Sequence, residues 1–231
     1  MKNLEIYRRY FDQAYPDYAD DQYIAISNLV AALPNTQVVS EILETESAKK
    51  IVDLIIPLVK IKNYKSQIPF PENIHDAVKI IIEIKNSQPE ENVSKRHVEL
   101  FENIVNIKGF QLPTISAVLH FCHPTTYPIV DRNIEEGCGL LQKEYPDEIQ
   151  EDAVPSLPAS TTSSNNKLSK YRGFIKFLAN LKKLHNEQHE TTYGFRELDK
   201  ALMVYGVSRL RTSAENANNN FHPTQKDARV K

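Results

Sequence analysis

The chain has 231 residues, enough for one large domain or two interlocked small ones with a substantial core. Its formal net charge of −2 argues against a strongly basic nucleic-acid-binding protein but permits a local basic face. The two cysteines, Cys122 and Cys138, exclude a multi-disulfide framework, a four-cysteine zinc site and a four-cysteine iron–sulfur cluster. Because no stretch approaches 18 apolar residues and MKNLEIYRRYF lacks a signal-peptide core, we expect a cytoplasmic protein that does not enter a membrane.

The hydrophobic pattern indicates helices throughout the chain. Glycine is scarce, with six residues, and no Asn-Gly or Asp-Gly pair marks a β-hairpin. We therefore expect an all-α fold, with residues 1–207 forming one unit and a mobile Ser/Thr/Pro-rich loop at 150–166. Residues 208–231 are polar without an apolar face and are expected to form a disordered tail. Helices are predicted over residues 21–33, 36–45, 47–62, 71–85, 90–106, 113–123, 132–145, 167–186 and 194–206.

Two of these helices form a predicted helix-hairpin-helix over residues 99–123. The connection Lys108-Gly109-Phe110-Gln111-Leu112 contains one glycine that can adopt a positive φ cheaply, and Pro113 suits the first turn of the next helix. The backbone N–H groups of such a turn, with the positive end of the second helix, can hold a phosphate. The alternative is a helix hairpin that only packs.

A Pro-rich loop at 124–131 follows the hairpin and ends in an aspartate. The prolines Pro124 and Pro128 prevent the helix from continuing, and Asp131 then precedes the helix that begins at Arg132. As a helix N-cap, Asp131 would contribute about 1 kcal/mol of stability. Its functional interpretation is a carboxylate held rigidly close to the phosphate that the hairpin binds.

The segment IKGFQLPTISAVLHFCHPTTYPIVDRN, residues 107–133, resembles the helix-hairpin-helix/Gly-Pro-Asp superfamily of DNA glycosylases. In motif spacing it is most similar to the adenine glycosylases. The resemblance covers 27 of the 231 residues and implies a two-lobed helical DNA-glycosylase-like fold in which Asp131 is the catalytic carboxylate. It also implies that DNA is bound at the hairpin. The residues concerned are Lys108, Gly109, Phe110, Gln111, Leu112 and Thr114.

Three departures from the family pattern limit the chemistry. Gln111 replaces the second glycine of the hairpin, so the loop can sit differently on a phosphate. Pro113 occupies the position where bifunctional members carry a lysine, which removes the amine needed for a Schiff base. The optional C-terminal four-cysteine loop is absent, so no iron–sulfur cluster is expected. We expect no other cofactor and no metal, although a monovalent cation at the hairpin is compatible with the resemblance.

The resemblance implies a monomeric, monofunctional glycosylase that hydrolyses the N-glycosidic bond of a damaged, mispaired or modified base in double-stranded DNA. One alternative is a catalytically silent DNA-binding or interaction protein in which Asp131 is only an N-cap. Another is a structural helical protein. An extruded base would stack on an aromatic ring. Tyr23, Tyr64 and Phe70 are candidates, although core packing is the commoner role for such residues.

The helix predicted at 167–186 has a basic face. It carries Lys170, Arg172 and Lys176 opposite an apolar stripe, which favours contact with phosphates or, equally, a solvated surface. Lys167, Lys182 and Lys183 complete its set of cations. The cluster His120-Phe121-Cys122-His123 has no second group of ligands, so we expect it to pack in the core rather than bind a metal.

Overall fold

The computed structural model describes residues 1–18, 20–33, 71–87, 95–106, 110–149 and 154–221. All regular secondary structure in these residues is helical, which confirms the all-α class for this part of the chain. One 3-10 turn, Pro16–Tyr18, accompanies the α-helices. These are α1 (Glu5–Ala14), α2 (Asp20–Ala32), α3 (Pro71–Asn86), α4 (Lys95–Val105), α5 (Leu112–Cys122), α6 (Arg132–Glu144), α7 (Ser164–His189), α8 (Phe195–Tyr205) and α9 (Ser208–Phe221). No helix in the described ranges is long and apolar enough to cross a membrane.

Most predicted helices in the described ranges match observed ones. The matches are α2, α3, α5, α6, α7 and α8, and α4 begins at Lys95 within the prediction for 90–106. Helix α1 was not predicted, although Tyr7 and Phe11 bury one face of it in the core. The helices predicted at 36–45 and 47–62 lie outside the described residues. The predicted loop at 150–166 is irregular over residues 154–163, and Ser164 begins α7.

The predicted disordered tail is wrong for residues 208–221, which form α9. The apolar residues of α9 are few and mostly small, so its sequence shows no periodic face. Ala214 is nevertheless buried, and Glu215 accepts hydrogen bonds from the Lys2 ammonium at 2.7 Å and the Tyr7 hydroxyl at 2.6 Å. Contacts with α1 therefore stabilise α9, whose own sequence does not predict a helix. Residues 222–231 lie outside the described part.

Helix α5 lies at the centre of one group of helices and α8 at the centre of another. Helix α5 packs against α2, α3, α4 and α7, whereas α8 packs against α1, α6, α9 and α7. Nearly every residue of α5 is buried, which accounts for its hydrophobic character on all sides. The Pro-rich loop 124–131 is the covalent link from α5 to α6 and so joins the two groups.

Two glycines allow α8 to approach α6 closely. A Cβ atom on Gly206, at the end of α8, would lie 2.1 Å from the Asn133 carbonyl oxygen, and one on Gly137 would lie 2.9 Å from the Leu202 carbonyl oxygen. Both of these neighbours are backbone atoms, which cannot rotate away. The first turn of α6, and with it the residue that caps α6, therefore depends on these glycines for its position.

We predict that Gly206→Ala lowers the free energy of unfolding by about 3 kcal/mol, because the added methyl group overpacks the α6–α8 contact. The φ of Gly206 is −66°, so the backbone conformation itself accepts alanine. Urea unfolding of the variant measures the loss. The matched control is Gly139→Ala on α6, where a Cβ atom meets nothing within 4 Å. Gly139→Ala should stabilise the protein by about 0.5–1 kcal/mol. Equal effects of the two substitutions would contradict the close-packing account.

Candidate active site

Side chains from two helices hold the Pro-rich loop by its backbone. The Val130 amide donates to Ser116 Oγ at 3.0 Å, and His120 Nδ1 donates to the Tyr127 carbonyl at 2.7 Å. The Tyr171 hydroxyl of α7 donates to the Pro128 carbonyl at 2.9 Å. These bonds satisfy buried backbone groups that a segment without regular structure cannot pair within itself. The loop therefore reaches Asp131 along a defined path.

Asp131 caps helix α6, as the sequence predicts. Its backbone is extended, and its Oδ1 accepts a hydrogen bond from the Ile134 amide at 2.9 Å. The side chain is half-buried. Burial, and after it the negative charge of Asp131, raises the pKa of Tyr15. Asp131 is thus an anchored carboxylate whose charge reaches neighbouring side chains.

Asp131 lines a narrow cleft, in which about 50 Å³ is open to a water molecule. The cleft lies where α1, the 3-10 turn, α2, α5 and α8 meet the end of the Pro-rich loop. Most of its lining is aromatic or aliphatic, and three of its residues are charged. The lining residues are Phe11, Tyr18, Tyr23, Ala117, Phe121, Ile129, Asp131, Arg196, Asp199 and Met203.

Arg196 of α8 forms one wall of this cleft and is held on several sides. Its Nη1 donates to Asp199 Oδ2 at 2.7 Å, and its Nη2 donates to the Tyr18 carbonyl at 2.8 Å. The guanidinium carbon lies 4.6 Å from the centre of the Tyr23 ring and 5.0 Å from that of Phe11, which are cation–π contacts. Burial raises the pKa of the Asp199 carboxyl, and the Arg196 charge opposes that shift. The 2.7 Å contact favours an ionised pair.

Tyr23 forms another wall and is fixed from behind by His120. The Tyr23 hydroxyl lies 2.8 Å from His120 Nε2. Because the Tyr127 carbonyl can only accept, His120 carries its proton on Nδ1, and Nε2 accepts from Tyr23. Burial lowers the pKa of His120 to about 4, so the imidazole is neutral at physiological pH. Of the three stacking candidates, Tyr23 faces the cleft, whereas Tyr64 and Phe70 lie outside the described residues.

The structure turns several predicted DNA-contacting side chains inward. Phe110, Leu112 and Thr114 are buried, so their side chains cannot reach a bound duplex. These side chains serve the packing of α5. The Gln111 side chain does not cap α5, and its Oε1 accepts instead from Lys167 Nζ at 3.1 Å. Lys108 and Gly109 lie outside the described residues.

Helix α7 has the predicted buried and basic faces. Arg172 and Lys176 are exposed, and Lys170 donates to Ser156 Oγ at 2.7 Å. Lys167, in contrast, is buried, and besides Gln111 it bonds the Ser160 carbonyl at 3.0 Å. Lys167 therefore ties α7 to the start of α5, and the exposed basic face is smaller than the sequence suggests.

The cluster His120–His123 bonds backbone carbonyls. Besides the bond from His120 Nδ1, His123 Nε2 lies 2.7 Å from the Ile84 carbonyl oxygen, and the Cys122 thiol donates to the Ile81 carbonyl at 3.7 Å. The cluster fixes α5 to α3 and to the Pro-rich loop. Within the described ranges, no group of three or more His, Cys, Asp or Glu side chains is arranged to hold a metal ion.

Arg196 and Asp199 are the cleft residues that sequence reasoning missed. In the sequence they form an i,i+3 charge pair, which normally supports an exposed helix. No local signal in the sequence reveals them, because α8 carries four charged residues and only the structure shows that most of the helix is buried. Comparison of the chain with protein-family models, with curated proteins and with solved structures gives no match in any of the three.

The neutral state of His120 makes the stability of the protein depend on pH. In the unfolded chain a histidine titrates near pH 6.5, whereas in the folded protein the pKa of His120 is about 4. Between these two pH values the unfolded state binds a proton at His120 and the native state does not. The free energy of unfolding therefore falls as the pH drops from about 6.5 to 4. Between pH 7 and pH 5, His120 should account for a loss of about 2 kcal/mol in the free energy of unfolding.

Urea unfolding at pH 7 and pH 5, for wild type and His120→Gln, measures this loss. Glutamine can accept from Tyr23 and donate to the Tyr127 carbonyl without titrating. Burial also lowers the pKa of His185 to about 4, but His185 is present in both proteins and its effect cancels. An equal decline in both proteins would show that His120 is protonated in the folded state.

Proposed function

We propose that this protein is a monofunctional DNA glycosylase, which hydrolyses the N-glycosidic bond of an extruded base with Asp131 as its catalytic carboxylate. One observation carries the proposal. The aspartate at which the family-like motif ends lines a cleft to which four aromatic side chains also contribute. A carboxylate and a stacking surface in one cleft are what base excision requires.

The chemistry suits a fixed, ionised carboxylate. Breaking the bond between C1′ and the base builds positive charge on the deoxyribose ring. A carboxylate beside C1′ stabilises that charge and can orient the attacking water. The N-cap bond to Ile134 and the loop anchored by Ser116 fix Asp131 before the substrate arrives, so little reorganisation is needed at the moment of reaction.

The surroundings of Asp131 also support a base pocket. The rings of Tyr23 and Phe121 lie 5.1 Å apart between centres, tilted by 40° to each other, and offer apolar surface against which an extruded base can pack. The helix group around α5 and the group around α8 meet at this cleft, which accords with the two-lobed arrangement that the family resemblance implies.

The absence of a lysine nucleophile at position 113 favours direct hydrolysis, without a covalent intermediate between enzyme and DNA. Pro113 replaces the lysine that bifunctional family members use, and the described lining of the cleft contains no lysine. The one cation among these lining residues is Arg196, which does not form a Schiff base. A glycosylase of this kind releases the base and leaves the DNA strand intact.

The second candidate is a catalytically silent DNA-binding or interaction protein. It is favoured by the same N-cap bond, because a carboxylate whose oxygen binds the Ile134 amide already has a structural reason to be present. On this alternative, exposed Arg172 and Lys176 hold the duplex and the cleft takes no part in chemistry.

We predict that Asp131→Asn reduces the rate of base release by at least about 100-fold. Asparagine is as good an N-cap as aspartate, so the variant should fold normally while losing the negative charge. The measurement is single-turnover base release from a panel of duplexes, each with one damaged, deaminated or mispaired base. The matched control is Asp147→Asn at an exposed position in the turn after α6, which should leave the rate unchanged.

The two candidate functions give different results. Release at the wild-type rate by Asp131→Asn would exclude Asp131 as the catalytic group. Binding of duplex DNA without release from any member of the panel would favour the silent binding protein.

We also predict that replacing Arg172 and Lys176 together by alanine weakens duplex binding and lowers its salt dependence. Removing one cation that binds a phosphate should reduce the slope of log K against log salt by about 1, so the double variant should show a reduction of about 2. The control removes two exposed cations elsewhere, Lys143 on α6 and Arg209 on α9, and gives the same net charge. A slope unchanged from wild type in the α7 variant would show that this face does not bind DNA.

A further inference from the structure

One nitrogen of the Arg196 guanidinium has no hydrogen-bond partner among the described residues. Both of its terminal nitrogens are bonded, to Asp199 and to the Tyr18 carbonyl, but its Nε is buried and finds no acceptor among the described residues. A buried charged N–H without a partner is unfavourable, because water solvates it well and the interior does not. Such a group in the wall of a cleft is expected to meet an acceptor on a ligand.

The surroundings of Arg196 keep it in place for that purpose. Two hydrogen bonds and the rings of Phe11 and Tyr23 hold the guanidinium, and its side chain is 13% exposed. One turn further along α8, Lys200 is buried and pairs with Asp12 at 3.0 Å and Asp20 at 2.7 Å, which ties α8 to α1 and α2. A donor fixed in this way loses little freedom when a ligand binds.

We propose that Arg196 binds a carbonyl oxygen of the extruded base and stabilises the negative charge of that base as it leaves. The inference rests on the proposed function. When the bond between C1′ and nitrogen cleaves, its electron pair passes to the base and spreads onto the carbonyl oxygens. The oxygen of water forms the new bond to C1′, and the proton that water loses neutralises the departing base. Asp131 then acts on the sugar side of the bond and Arg196 on the base side.

This assignment predicts a substrate class. Bases with an exocyclic carbonyl, such as uracil, hypoxanthine and 8-oxoguanine, offer Arg196 an oxygen with two lone pairs. Ethenoadenine offers only ring nitrogens, each with a single in-plane lone pair and no exocyclic oxygen to take up the charge, and an amino group in the same position would point N–H bonds at a cation. Carbonyl-bearing bases are therefore the preferred substrates over adenine-like lesions without a carbonyl.

The test compares affinities for duplexes that differ at a single nucleotide. The nucleotide is uracil, hypoxanthine, 8-oxoguanine or ethenoadenine, each on a 2′-fluoro sugar that resists hydrolysis, or a tetrahydrofuran abasic analogue. Wild type should bind at least one carbonyl-bearing duplex about 10-fold or more tightly than the tetrahydrofuran and ethenoadenine duplexes, as expected for a charged hydrogen bond. Arg196→Lys should abolish that preference and leave affinity for the tetrahydrofuran duplex within about 2-fold.

Arg209→Lys, at an exposed position on α9, is the matched control and should keep the preference. Equal wild-type affinity for carbonyl-bearing and abasic duplexes overturns the assignment without any variant, so the test does not depend on the folding of Arg196→Lys. The assignment is also overturned if Arg196→Lys weakens binding of the carbonyl-bearing and abasic duplexes equally, because a purely structural role of Arg196 gives that result. Failure of the proposed function is separate, because it appears as base release that does not depend on Asp131.

Discussion

The architecture depends on one constraint, which is that an irregular, partly buried segment must satisfy its backbone polar groups with side chains from elsewhere. The Pro-rich loop between α5 and α6 cannot form a helix, and Tyr127 and Val130 within it are buried. Ser116, His120 and Tyr171 supply the missing partners. Because two of them belong to α5 and one to α7, side chains of these two helices set the path of the loop and, with it, the position of Asp131.

The same bonds determine the shape of the cleft. His120 bonds the loop through one ring nitrogen and Tyr23 through the other, so the wall of the cleft and the segment that carries Asp131 share one anchor. Tyr23 in turn contacts Arg196, which is held by Asp199 on its own helix. A chain of direct contacts thus connects the aspartate loop to α8. Burying an ion pair between aromatic rings costs desolvation, and packing alone would be served as well by apolar side chains of similar volume. The pair instead fixes the geometry of the cleft wall, because Arg196 also bonds the Tyr18 carbonyl of the 3-10 turn.

The sequence was sufficient for the helices with regular apolar spacing and for the aspartate that ends the Pro-rich loop. Asp131 could be found because proline, aspartate and the start of a helix are local signals that need no knowledge of the fold. Arg196 and Asp199 could not, since an i,i+3 charge pair is written identically on exposed and buried helices. Helix α9 was missed because its stability comes from Tyr7 and Lys2 at the other end of the chain. The inward side chains of Phe110, Leu112 and Thr114 follow from how α5 is surrounded, which a hairpin motif does not encode.

The capping and catalytic interpretations of Asp131 are compatible on physical grounds. A carboxylate offers two oxygens with about four acceptor positions, so accepting a bond from the Ile134 amide does not by itself exclude another role. Amide donors and the positive end of a helix stabilise negative charge, and the capped geometry removes rotational freedom that a free side chain would have to lose during reaction. The start of a helix therefore helps a carboxylate beside a developing cation in two ways. It keeps the carboxylate ionised, and it keeps the side chain from rotating. The N-cap bond therefore holds the negative charge of Asp131 in a fixed position. It is compatible with a catalytic role for this carboxylate in the cleft.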